Sequence, residues 1–311
     1  MLANTSHQNS INVAQVKPER LDEILKAKNS VTYAVLDACD EPKIPILVEQ
    51  LKDHAVSLYK GRAEQDCWDI APYIVVVDSV VLDWVRENLW GQPWGFFATS
   101  TSDLLALRKH FRRFLLVDGP ADKELYFRFY DPRVLRPFLE SSAPSKVKQF
   151  FGPIDACYTV NSDQEVFELK PSLETKSPSV VSSNRKLLFD KPEMDAYADA
   201  RRANFVNRLA DQIMPKLQEL GQSLVPEKLK EQINVGISRA LEYEMNLQRD
   251  IARYVEASIV GLGRFEAKQD PIVVQNILLD RRVDWPTRLE RFEMYTAEKK
   301  TISVGEEKFG G

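Results

Sequence analysis

Apolar residues recur with two different periods along this chain, and the change from one to the other divides it. Val31-Thr32-Tyr33-Ala34-Val35-Leu36-Asp37 alternates as a strand, Ile44 to Leu51 follows with helical spacing, and His54 to Tyr59 alternates again. Pro72 to Asp78 is a near-continuous apolar run of strand length, the pattern of a sheet covered on both faces, and is placed near the sheet centre. Val80 to Leu89 suits a helix and Trp94 to Ser100 a further strand. From Asp103, Leu104, Leu107, Phe111 and Phe114 form a helical stripe opposite Arg108, Lys109, Arg112 and Arg113. Leu115 to Val117 adds a short strand, and Cys157 to Val160 closes this part as its last one. Beyond residue 190 only helical stripes remain: Tyr197 to Leu220, in which Pro215 should kink or restart the helix, then Leu229 to Leu241 and Leu247 to Ile259. Two short helices introduced by Pro271 and Pro286 follow.

The expected fold is an α/β N-terminal lobe, a mixed sheet with flanking helices, followed by an all-α C-terminal lobe. Its boundaries are a tail and short helix over 1–27, the α/β domain over 28–170, a Ser- and Pro-rich linker over 171–190, the helical lobe over 191–300 and a tail over 301–311.

One junction stands out, Leu125-Tyr126-Phe127-Arg128-Phe129-Tyr130-Asp131-Pro132-Arg133-Val134-Leu135. As a strand it would turn Phe127 and Phe129 to one face and Tyr126, Arg128 and Tyr130 to the other. Asp131 then caps a helix whose first position is Pro132. Arg128 and Arg133 flank Asp131, so a charge-assisted hydrogen bond can lock the turn.

Composition narrows the function. The 311 residues are 44% hydrophobic and 28% charged, as in soluble globular proteins. Lys and Arg number 42 against 46 Asp and Glu, with 20 basic and 24 acidic residues up to Lys170 and 22 of each after it. Neither half has the basic excess that neutralises phosphates, so nucleic acid is not the expected partner. Cys39, Cys67 and Cys157 show no paired or zinc-type spacing and read as reduced thiols. Met1 to Val16 lacks the basic start and apolar core of a signal peptide, and no apolar run approaches the roughly 20 residues of a membrane span. A cytoplasmic protein without membrane contact is expected.

Candidate chemistry is sparse. No phosphate-cradling loop, dinucleotide fingerprint, nucleophile elbow or H-E-x-x-H motif occurs. His7 lies in the tail, and His54 and His110 read as structural. Asp37, Asp78, Asp118 and Asp131 lie near strand ends, where caps and turns account for them. Trp84, Trp90, Trp94, Phe96 and Phe97 fit either core or a contact surface. Neither cofactor nor metal nor small-molecule substrate is implied.

RFYDPRVL, with Phe150-Phe151-Gly152-Pro153 after it, resembles the effector adaptor or chaperone family of bacterial type VI secretion. The similarity covers mainly residues 31 to 155 and runs through an ordered set of segments. These are Tyr33 to Ala38, Ala71 to Val75, Trp94-Gly95 with Ser100, His110 with Arg112-Arg113, RFYDPRVL and FFGP. The resemblance implies a non-enzymatic protein that binds a toxin in the cytoplasm and promotes its loading onto the VgrG spike or an extension of it, in the service of bacterial competition. It singles out Trp94, Gly95, Arg112, Arg113, Arg128, Phe129, Tyr130, Asp131, Pro132, Arg133, Phe151, Gly152 and Pro153 as structural or partner-binding residues. The alternatives are a hydrolase using Asp131 with His110 or Tyr130, and a structural subunit of a secretion assembly.

Overall fold

The computed structural model describes residues 10–27, 29–39, 41–172, 186–222, 224–261 and 276–308. The chain divides into two compact units, Met1–Arg201 and Arg202–Gly311.

The first unit is built on a seven-stranded sheet. Its strands are β1 (Ile11–Val16), β2 (Val31–Asp37), β3 (Ala55–Ser57), β4 (Pro72–Val76), β5 (Gly95–Ser100), β8 (Ile154–Val160) and β9 (Val166–Pro171), in spatial order β1-β9-β8-β5-β2-β4-β3. β6 (Leu116–Asp118) and β7 (Glu124–Tyr126) form a separate hairpin. The fold class is the expected one, but every strand pair in the sheet is antiparallel, where a mixed sheet was expected. β5 holds the centre and β4 lies next to the β3 edge, so the apolar run at 72–78 reflects two-sided burial and not a central place.

Period-two alternation explains the layering. Tyr33 and Val35 of β2, Ile74 of β4 and Phe96 and Ala98 of β5 enter one core, while Ala34, Leu36, Tyr73, Val75 and Phe97 enter the other. The first core is closed by α5 (Leu104–Arg112), α6 (Pro132–Ser141) and α7 (Pro144–Phe151). The second is closed by α1 (Arg20–Lys26), α2 (Lys43–Leu51) and α4 (Ser79–Asn88), with α3 (Arg62–Asp66) adding a short turn before β4. Trp94, Phe96 and Phe97 are fully buried and Trp84 and Trp90 pack partly buried against the core, so this aromatic group is packing and not contact surface.

Four segments differ from what the sequence pattern predicts. Ile11–Val16, assigned to the tail, is an edge strand paired with β9, and β9 itself was missed. Its modest alternation, Val166-Phe167-Glu168-Leu169, carries a charged residue on a face that only its neighbours bury. The aromatic strand ends at Tyr126, because a turn closed by the Asp131 N–H on the Arg128 carbonyl (3.0 Å) bends the chain into α6. Tyr130 consequently joins Phe127 and Phe129 in the first core instead of facing away from them. Finally, Leu187 and Phe189, placed in the linker, are buried in that same core, while 173–185 lie outside the described residues.

The second unit is helical. α8 (Lys191–Glu219) begins in the first unit and continues into the second with Pro215 inside it, so the proline does not restart the helix. α9 (Pro226–Glu242), α10 (Gln248–Glu256) and α11 (Trp285–Lys308) complete it, a π turn over Ala257–Gly261 ending α10. The expected tail from 301 is helix through Lys308, and the helix expected from Pro271 lies partly outside the described residues. Leu209, Ile213 and Leu217 meet Leu229, Ile233, Ile237, Ile251, Tyr254, Leu289 and Phe292 in a third core. Among the described residues no helix is long and apolar enough to cross a membrane.

Gly95 shows how closely β5 is fitted to β2. Its φ is +143°, and a Cβ there would stand 1.9 Å from the Val35 carbonyl oxygen. Gly95→Ala is therefore expected to lower stability by at least about 3 kcal/mol, read from the urea midpoint. An unchanged midpoint would mean that the two strands part without cost.

Candidate functional site

The residues singled out from the sequence gather around the end of β2 and the start of α6. Asp37, the last residue of β2, has its side chain 5% exposed and accepts from Arg128 Nη2 at 2.5 Å. The Cys39 N–H donates to its other oxygen (3.1 Å), and its own N–H donates to the Trp94 carbonyl (2.7 Å). Burial pushes the Asp37 carboxyl above the usual carboxylate range, and the Arg128 guanidinium pulls it back. Arg128 thus bonds Asp37 and not Asp131.

Asp131 is engaged elsewhere. It is buried, caps α6 by accepting from the Arg133 N–H (2.9 Å), and takes the Arg133 guanidinium through Nε (2.9 Å) and Nη2 (2.8 Å). The turn lock expected of this motif is made by Arg133 alone. Pro132 occupies the first helical position, as expected. Phe129 is fully buried and stacks on Phe111 at 5.3 Å.

Tyr130 is 2% exposed, and its hydroxyl continues a chain outward through Tyr126 (2.9 Å) to Tyr59 (2.9 Å). Burial pushes the Tyr130 phenol up, which makes it a poor base or nucleophile near neutrality. Arg128 also lies over the Tyr130 ring, 5.7 Å from its centroid.

α5 does similar positional work. His110 Nε2 donates to the Phe150 carbonyl (2.6 Å), and Nδ1 accepts from Arg113 Nη2 (3.2 Å), a pair of bonds that suits the neutral ring. Burial lowers its pKa to about 4. Gly152 packs against this ring: with φ +44°, a Cβ there would lie 2.5 Å from His110 Cε1. Arg108 donates to the Ser57 (2.7 Å) and Tyr59 (2.8 Å) carbonyls and Arg112 to that of Leu58 (3.1 Å), so these two arginines cover the end of β3 and the residues just past it while Lys109 faces solvent. His54 is exposed, and His7 lies outside the described residues.

His110 is thus bonded to Phe150 and Arg113, Asp131 to Arg133, and Tyr130 to Tyr126. The other strand-end carboxylates divide as the caps-and-turns reading had it. Asp78 caps α4 by accepting from the Val81 N–H, and Asp118 lies in the β6–β7 hairpin. Among the described residues no group of three or more His, Cys, Asp or Glu is placed to hold a metal ion.

The segments are joined to one another. β2 is bonded to RFYDPRVL by Asp37–Arg128 and to Trp94-Gly95 by the β2–β5 ladder, and Tyr73 of β4 stands opposite Leu36. His110 is bonded to FFGP through Phe150, and Ser100 Oγ donates to the Pro153 carbonyl (2.6 Å). Residues 32–149 match the model of a family described as a domain of unknown function (DUF4123). The matched stretch runs from β2 into α7. No curated protein and no solved structure matches the chain.

Two residues essential to this arrangement, Asp37 and Tyr59, were not marked by the sequence reading as partners of the motif. The available signal was a carboxylate ending an otherwise apolar strand, which demands a cation.

Two outcomes are expected. Arg128→Met leaves the Asp37 carboxylate buried without its cation and should cost about 3 kcal/mol in chemical denaturation. Asp37→Asn in the same chain should recover much of that, and strictly additive losses would refute the coupling. For His110, the unfolded chain takes up a proton near pH 6.5 and the folded one only near 4. Its contribution is thus complete above 6.5 and is lost as pH falls toward 4, about 3 kcal/mol in all. His110→Gln should flatten the stability profile across that window, and a parallel profile would contradict the assignment.

Proposed function

We propose that this protein is a non-enzymatic adaptor of type VI secretion, which holds a toxic effector in the cytoplasm and promotes its loading onto the VgrG spike. The observation that carries this reading is the mutual bonding of the segments that bear the resemblance. Six stretches separated in sequence meet through Asp37–Arg128, Asp37–Trp94, His110–Phe150, Ser100–Pro153 and the β2–β4 ladder, so the similarity belongs to one folded unit and not to scattered words. The stretch matched by the family model, 32–149, nearly coincides with the stretch that carries the resemblance.

The physical task of such an adaptor is selective contact followed by release. The first unit offers apolar side chains to solvent at Ile46, Trp68 and Ile70, and an exposed tryptophan is the kind of residue on which protein contacts concentrate. The second unit has its own core and differs in class, which suits a division between a common platform and a surface that selects the effector. Affinity must stay moderate, because an adaptor that never dissociates cannot hand over its cargo.

The test is co-expression of the full chain with a type VI toxin and a VgrG spike from the same genome. The chain should co-purify with the toxin, and export of the toxin should fail in a strain lacking the gene and return on complementation. A full-length chain that retains neither protein, with export unaffected by its deletion, would end the proposal.

A further inference from the structure

Residues Lys186 to Glu193 lie on the first unit as a bound peptide lies on a receptor. The chain leaves the sheet after β9, and Leu188 then pairs in parallel with Asp118 of β6. The Asp118 N–H donates to the Leu187 carbonyl (2.9 Å), and the Phe189 N–H donates to the Asp118 carbonyl (2.8 Å). Side chains alternate accordingly: Leu187 and Phe189 are 1% and 3% exposed, and Leu188 between them is 49% exposed. Phe189 stacks on Phe138 (5.4 Å) and meets the edge of Phe127 (4.9 Å).

Charges fasten both ends. Lys186 pairs with Glu124 of β7, and Lys146 of α7 binds Asp190 and Glu193, each at 2.8 Å. Glu193 is itself 2% exposed and also accepts from the Asp190 N–H (2.9 Å), which caps the start of α8. Main-chain pairing to a strand edge, two alternate side chains in an apolar cleft and an acid held by a lysine are the elements of linear-peptide recognition by strand addition.

We propose that the cleft formed by Asp118, Val117, Phe127, Phe138 and Lys146 is a peptide-binding groove that the chain fills with its own residues 186–193, and that a partner segment of the same pattern displaces them. The pattern is read from the present occupant: apolar, any residue, apolar, then acids one and four positions on. Occupation in cis makes the groove a threshold, since a partner must compete with a tethered ligand at high effective concentration. This inference rests on the adaptor reading only for the identity of the partner. Exchangeability of the segment is a property of the chain alone.

The test uses the full chain and a fluorescent synthetic peptide covering residues 186–197. Leu187→Ser/Phe189→Ser weakens the internal occupant, and this variant should bind the peptide at least about tenfold more tightly than the wild type, by fluorescence anisotropy. Adding Lys146→Glu should abolish that binding. Should the double variant not fold, as judged by circular dichroism, Glu193→Lys serves in its place, because it loosens the occupant at its charged end and leaves Leu187 and Phe189 intact. A folded variant that ignores the peptide, or a wild type that binds it equally well, would overturn the proposal. Neither result bears on whether the chain carries a toxin.

Discussion

A carboxylate at the end of a buried strand has to be neutralised before the strand can be covered, and here the neutralising cation comes from 91 positions later in the chain. Asp37 and Arg128 hold the end of β2 against the turn that starts α6. That turn aims Phe127, Phe129 and Tyr130 into the first core, where Phe111, Phe114, Phe138 and Phe150 receive them. Edge-on and offset contacts between these rings add about 0.5–1.5 kcal/mol each beyond simple burial. The ion pair is weaker than the aromatic core as a source of stability, since its desolvation offsets most of its attraction. Its value is positional, because an unpaired Asp37 would not tolerate any other seating of the turn.

The same economy of means appears around α5. Its buried face packs rings against the sheet while Arg108 and Arg112 reach main-chain carbonyls at and just past the end of β3 and its histidine reaches one on α7. A helix that bonds two distant segments through side chains fixes their spacing more tightly than packing alone, because directional bonds fail within a few tenths of an ångström. Gly152 and Gly95 belong to this tightness: each lets a neighbour approach where a methyl group would intrude.

Much of the architecture was legible from alternation and helical stripes, because those patterns are set by burial on one or two faces. β2, β4, β5 and α5 are cases where the pattern and the environment agree. What escaped were features decided by distant partners. Val166 to Pro171 is a strand because β8 and β1 flank it, and Ile11 to Val16 because β9 does. Tyr130 was assigned to the wrong face because the turn at Arg128 breaks the alternation that the assignment assumed. Leu187 and Phe189 looked like linker since they follow a Ser-rich stretch, and only the cleft they fill explains them. In the site, Asp131 and Pro132 could be placed from local helix-start chemistry, whereas the choice of Asp37 by Arg128 needed three-dimensional proximity.

One side of the sheet is formed by the first and last of its described strands, since among the described residues β1 pairs with β9 alone. During synthesis β1 leaves the ribosome first and must wait for nearly the whole unit before it has a template. β2, β3 and β4, which pair with neighbours nearer in sequence, can assemble in the meantime. Vectorial folding therefore proceeds from the β3 edge of this sheet toward the other edge, and β1, made before the other strands, is among the last to take its seat.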